Sequence, residues 1–228
     1  MLIGAAGNDT LSGGAGTDTA VFSGARAAYA VGLDADGMLT LADQRAGAPD
    51  GTDRADGVEA FRFADGLATF DGAGRLATWR VDAPDGTSTV TTFDAADAFA
   101  WASRTDYLDA VGRLRIATVT TEAGSHRDDY FDVGGTEPWS RVTNAVDPDG
   151  RLVTQVGEWD SGTHWLLLRD VAGAEPWAEA TLSFDAAWNP TGVWGTRDDG
   201  SAVQGMEEVA AAYDTALWFA SPDRDHLL

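Results

Sequence analysis

Residues 4–21 contain two consecutive nine-residue units, Gly4-Ala-Ala-Gly7-Asn8-Asp9-Thr-Leu-Ser and Gly13-Gly14-Ala-Gly16-Thr-Asp18-Thr-Ala-Val. Glycine spacing of this kind lets the backbone take positive φ and turn its carbonyls inward, while the sixth position of each unit supplies a short carboxylate, Asp9 and then Asp18. An all-oxygen cage of carbonyls and carboxylates suits a hard cation, so the chemistry indicated is calcium binding. The candidate metal residues are Gly4, Gly7, Asn8, Asp9, Gly13, Gly14, Gly16 and Asp18. The competing reading is an acidic, glycine-rich loop that holds no ion. The apolar ends of the units, Leu11 and Val21, are expected to form short strands facing the interior of a coil.

The units fit the pattern G-G-x-G-x-D-x-U-x, with U a large apolar residue, and in this they resemble the nonapeptide of the repeats-in-toxin (RTX) family. Ala5 at position two and the small Ala20 at the U position depart from that pattern, as the fraying end of a longer roll would. The resemblance implies a parallel β-roll in which each ion is shared between one turn and the turn two units further on, so two units supply part of a site. It also implies secretion to the outside of the cell or its surface by the type I machinery, directed by an uncleaved signal near the C-terminus. The tail from Leu217 to Leu228 is the candidate address. The chain opens inside a repeat and lacks the basic and long apolar regions of a cleaved leader, so the C-terminal portion of a longer protein is expected.

Composition narrows the remaining classes. The chain has 228 residues and a formal net charge of -22, which argues against nucleic acid, whose phosphates demand a basic face. Asp outnumbers Glu by 29 to 8, favouring turns over helices, and every basic residue is Arg. There is no Cys to staple an exported chain, so metal ions and apolar packing must stabilise it. No apolar stretch approaches the roughly 20 residues needed for a helical span, so no membrane-spanning segment is expected.

A second period positions the rest. Asp71-Gly-Ala-Gly74-Arg75-Leu76 recurs from Asp109 and Asp147, and a degenerate copy starts at Asp185, each 38 residues on. Gly86, Gly124, Gly162 and Gly200 keep the same step, as do Asp94, Asp132, Asp170 and Glu208, and also Trp101, Trp139 and Trp177. Such self-similarity marks a stacked array whose units bury their apolar faces on one another. Each copy reads as three strands, in the first Leu76 to Asp82, Thr87 to Phe93 and Phe99 to Leu108. A tight turn joins the first two, with Asp85-Gly86 as its central residues, both at positive φ. Alternation places Trp101 with Ser103, Thr105 and Tyr107, opposite Arg104 and Asp106. It likewise places Trp177 with Glu179, Thr181 and Ser183, opposite Ala180, Leu182 and Phe184. The opening motif over residues 70–184 resembles the tyrosine-aspartate (YD, RHS-type) repeats of bacterial secreted proteins, which implies a ribbon of β-hairpins.

The expected fold is therefore all-β. A short parallel roll end (1–21) leads into a β-rich closing module (22–70), with strands over 28–33, 38–42 and 58–63 and an acidic loop over 48–57. An antiparallel array follows in four copies (71–108, 109–146, 147–184 and 185–228), with a short capping helix over Met206 to Phe219. The tryptophans leave two alternatives: an outward ladder of Trp101, Trp139 and Trp177 that stacks on a cell-surface glycan or protein, or inward core filler. His126 and His164 occupy equivalent positions and invite a metal reading, or else lie on strand surfaces. Carboxylate pairs such as Asp128-Asp129 and Asp198-Asp199 are read as solvated turns, since no H-E-x-x-H or G-x-S-x-G motif accompanies them. The functional expectation is a noncatalytic, calcium-dependent folding and export module, with an adhesin or glycan-binding surface as the alternative.

Overall fold

The computed structural model describes residues 1–210 and 212. It is all-β: fourteen strands belong to one sheet of mostly antiparallel hairpins, and four to a second. The chain divides into two compact units, residues 1–98 with 110–112, and residues 99–109 with 113 onward.

The first unit begins as the expected parallel coil. Strands β1 (Leu2–Ile3), β2 (Thr10–Ser12) and β3 (Thr19–Val21) alternate between two sheets, β1 pairing with β3 in parallel. A 3-10 turn at Arg26–Ala28 leads to an antiparallel pair, β4 (Tyr29–Leu33) and β5 (Leu39–Asp43). The chain then returns to the coil. β6 (Thr52–Asp56) stacks in parallel on β2, and β7 (Ala60–Phe63) stacks in parallel on β3. β6 lies inside the stretch expected as an acidic loop. Its sequence Thr-Asp-Arg-Ala-Asp offers only one apolar residue, and it becomes a strand because β2 on one side and β5 on the other present open backbone groups to it. Three hairpin strands complete the unit, β8 (Gly66–Phe70), β9 (Leu76–Asp82) and β10 (Ser88–Phe93).

Between the two sheets of this unit lie Leu11, Ala20, Phe22, Tyr29, Leu41, Ala55, Phe61, Phe63 and Ala68. The second nonapeptide turns Ala20 inward, fully buried, while Val21 is only half-buried. The small side chain at that position leaves room for Phe22, whose ring stacks against Phe61 and Phe63 and meets Tyr29 edge-on.

The second unit is the antiparallel ladder β11 (Trp101–Leu108), β12 (Leu114–Thr121), β13 (His126–Phe131), β14 (Trp139–Val146), β15 (Leu152–Trp159), β16 (His164–Arg169), β17 (Trp177–Phe184) and β18 (Pro190–Arg197). Three strands per 38-residue copy is the expected count. Its turns differ in one detail, seen also in the first unit at Ala83–Thr87. Gly86, Gly124, Gly162 and Gly200 have φ between 81° and 87°, but Asp85 is not left-handed. Ala83 N–H donates to Thr87 O, so the loop holds three residues and needs positive φ only at its last.

Three is an odd number, and this decides which face each repeated residue shows. A strand and its equivalent one copy later run in opposite directions. The operation that advances along the ladder and reverses strand direction is a half-turn about the ladder axis, which exchanges the two faces. The register follows this rule. Val142 pairs with Gly157, and Gly157 with Trp165, on one face; its equivalent Ala180 pairs with Leu168 and Gly195 on the other.

We call the second of these faces inner. It carries Val156, Leu166, Leu168, Trp177, Ala180, Leu182 and Phe184, and Val203, Met206, Val209 and Ala212 pack over them. The fourth copy thus leaves the ladder after β18 and folds back as a lid on the apolar face. Of the expected capping helix, a 3-10 turn at Met206–Glu208 is seen, and residues beyond 212 lie outside those described.

Candidate metal centre

The two nonapeptide turns lie against two turns from the closing module, and in each stacked pair a repeat aspartate meets an acid one layer on. Register sets Thr10 opposite Arg54, so Asp9 stacks on Asp53; it sets Thr19 opposite Ala60, so Asp18 stacks on Glu59. Asp9 N–H donates to Asp53 Oδ1 at 2.9 Å, and Asp18 N–H donates to Glu59 Oε2 at 2.8 Å. Asn8 Oδ1 accepts from Thr52 N–H at 2.8 Å.

The glycines do different jobs. Gly7, Gly14 and Gly16 are left-handed, with φ of 105°, 83° and 116°, as the turn requires. Gly4 and Gly13 are not; they clear space. A Cβ on Gly4 would lie 2.9 Å from Asp9 Oδ2, and one on Gly13 would lie 1.9 Å from Gly57 O and 2.9 Å from Asp18 Cβ. Each repeat aspartate therefore folds back over the first glycine of its own unit. Ala5 takes φ of 67° where the pattern has glycine, a left-handed strain that costs about 1 kcal/mol.

The charge balance at the first turn is uncompensated. Asp9 Oδ2 is buried with no hydrogen-bond partner. Asp53 is 2% exposed, and burial raises its pKa, assisted by repulsion from Asp9 and Asp50 and opposed by the Asp9 N–H. Asp50, also buried, is treated differently. Burial disfavours its charge too, but Tyr29, the Ser23 hydroxyl and N–H, and Arg45 outweigh that and lower its pKa. Arg45 also donates to Asp43, whose carboxyl is held far below the ordinary range, chiefly by that bond.

The donor set fits a hard cation in part. Two carboxylates are oxygen ligands of the right kind, and the orphaned Asp9 oxygen lacks the positive partner that an ion would supply. Among the described residues no group of three or more His, Cys, Asp or Glu side chains is gathered tightly enough to hold a metal by itself. Backbone carbonyls and water would have to complete any coordination shell.

Asp53 and Glu59 were not anticipated, although a signal existed. Gly51-Thr52-Asp53 repeats the triplets Gly7-Asn8-Asp9 and Gly16-Thr17-Asp18, and Gly51 is left-handed like its counterparts. Gly57-Val58-Glu59 has the same spacing with Glu in place of Asp, and Gly57 is left-handed as well, with φ of 59°.

The other candidates are dispersed. Bulges beside Trp101, Trp139 and Trp177 shift each indole to the face opposite the one simple alternation gives. Trp177, at 2% exposure, joins the inner core, and by register Trp101 lies on that same face and Trp139 on the other. They form no single-faced ladder. His164 is buried on the inner face with its ring stacked on Trp188, centroids 3.9 Å apart, whereas His126 lies on the outer face 3.4 Å from Asp128 Oδ2. Asp128 and Asp129 point to opposite faces. Asp129 is 2% exposed and bound by Arg127, Arg141 and Thr143. Asp199 accepts from Ser201 N–H within its turn, as a solvated hairpin carboxylate does. No helix among the described residues is long and apolar enough to cross a membrane. No protein-family model matches the chain, and no curated protein matches it.

Proposed function

We propose that the first unit is a calcium-responsive folding module of an exported protein, with Asp9 and Asp53 holding an ion at one side of the coil and Asp18 and Glu59 forming a weaker pair at the other. The observation that carries this reading is the buried, unpartnered Asp9 Oδ2 beside a buried Asp53 of raised pKa. Two such carboxylates repel each other at neutral pH, and a divalent cation turns that repulsion into attraction. Bound calcium neutralises both acids and ties the returning strand β6 to the first turn, closing a loop of some forty residues. At low intracellular calcium the same carboxylates hold the coil open, which suits passage through a type I exporter, and the coil condenses outside the cell. The RTX resemblance of the two nonapeptides points the same way.

Isothermal titration of the whole chain with calcium, paired with thermal unfolding in calcium and in chelator, tests this. Calcium should raise the first transition, and Asp9→Asn with Asp53→Asn should abolish both the heat and the shift. Identical unfolding with and without calcium would overturn the reading.

A further inference from the structure

On the outer face of the second unit we infer a binding platform for an uncharged oligosaccharide, built from Trp159, Trp165 and Trp194. It rests on residues other than the repeated tryptophans and is independent of calcium. Trp165 lies flat on the sheet because its neighbour across the strand is glycine: a Cβ on Gly157 would fall 1.9 Å from the indole carbons. Its ring meets that of Trp159 at 4.4 Å and 38°, and Trp159 is itself 39% exposed. Two strands away Trp194 is 55% exposed, the most exposed indole among the described residues. Register puts Leu167, Thr181 and Ser183 between Trp165 and Trp194, a low floor about 12 Å long by strand geometry.

Polar groups border the rings. Trp165 Nε1–H donates to Gln155 Oε1 at 3.4 Å, and Gln155 Nε2–H donates to Asn144 Oδ1 at 3.0 Å, leaving both amides with further donors and acceptors. Ser183 and Thr191 share a hydrogen bond at the other side. Flat indole faces beside amides and hydroxyls match a pyranose ring, which offers a C–H face and an equatorial rim of hydroxyls.

Charge selects the ligand class. Arg169 and Glu179 at the platform bond to each other at 3.0 Å, and the exposed Asp160 beside Trp159 adds a negative charge, on a chain of net charge -22. Neutral sugars are accommodated and acidic ones repelled. A protein partner is the poorer fit, since a stable interface needs about 800 Å² of well-packed surface per side and this floor alternates rings with polar residues.

The test is to probe the full chain against immobilised neutral and anionic glycans, then titrate it with cellohexaose and chitohexaose while following tryptophan emission. At least one neutral hexasaccharide should bind and shift the emission, in calcium and in chelator alike. Trp194→Ala and Trp159→Ala should each raise the dissociation constant tenfold or more with unchanged circular dichroism, whereas Trp101→Ala should not. Absence of any neutral ligand, preference for sulfated or sialylated chains, or unchanged binding by Trp194→Ala would overturn the inference. So would a concentration-dependent dimer that protects Trp194 from quenching, because the face would then belong to a second copy.

Discussion

The nonapeptide turns of the first unit and the repeat turns of the second treat their aspartates in opposite ways. In the second, each copy opens with an aspartate that is satisfied within its own turn. Asp147 Oδ1 accepts from the N–H groups of Asp149 and Arg151, while Oδ2 takes the Arg151 guanidinium; Asp109 and Asp185 do the same with Arg113 and Asn189. The backbone N–H of Arg151, foremost, lowers the Asp147 pKa. In the first unit Asp9 and Asp53 face no arginine, and the pKa of Asp53 is raised. Carboxylates of the first kind are satisfied within their own turn; under the reading proposed above, stacked ones such as Asp9 and Asp53 take their counter-charge from an ion. A net charge of -22 is compatible with both, so it is the arrangement of the acids that matters.

The comparison can be broken most forcefully in the apolar core of the second unit. Leu182→Ala, at a fully buried position under the Val203–Val209 lid, should cost about 2 to 5 kcal/mol in denaturant unfolding followed by tryptophan emission, with no dependence on calcium. A calcium-dependent loss there would erase the distinction between the units. Next in size is calcium itself: at 100 times its dissociation constant, it should stabilise the first unit by about 2.7 kcal/mol. Hydrogen exchange resolved to residues 1–70 and 113–200 would show protection gained only in the former.

A pH titration sharpens the contrast. A carboxylate with a raised folded pKa, such as Asp53, is easier to protonate folded than unfolded, so calcium-free stability falls as pH rises from its unfolded value of about 4 through the folded one. The lowered groups Asp147, Asp170 and Asp185 do the reverse: their contribution is present above about 4 and is lost as pH drops below it. Mild acidification in chelator should therefore raise the first transition and leave the second unmoved, and Asp53→Asn should remove the rise. The smallest effect is expected for Ala5→Gly. Relief of the left-handed strain, less the greater freedom of glycine when unfolded, should stabilise the first unit by about 0.5 kcal/mol in calcium.

Much of this was legible in the residues. The 38-residue period announced three strands per copy, and the ends of β9, β10 and β11 fall within two residues of those expected, because Asp-x-x-Gly turns and β-rich runs are local features. The nonapeptides announced a parallel coil for the same reason. The strand β6 was hidden, since little in Thr52–Asp56 favours extended structure until β2 and β5 lie on either side of it. The bulges that turn Trp101, Trp139 and Trp177 over were hidden as well, being properties of a strand pair and not of a strand.

Sequence alone determined the repeat, its glycine-bearing turns and the glycine-plus-aspartate pattern of the two nonapeptides, all of which depend on residues within a few positions of one another. Tertiary structure alone decided the rest. Asp53 reaches Asp9 across 44 residues and Glu59 reaches Asp18 across 41, pairings that exist only after the chain leaves the coil and comes back. The face on which each tryptophan stands follows from the half-turn that an odd number of strands imposes on every copy, a constraint carried by hydrogen-bond direction across the whole ladder.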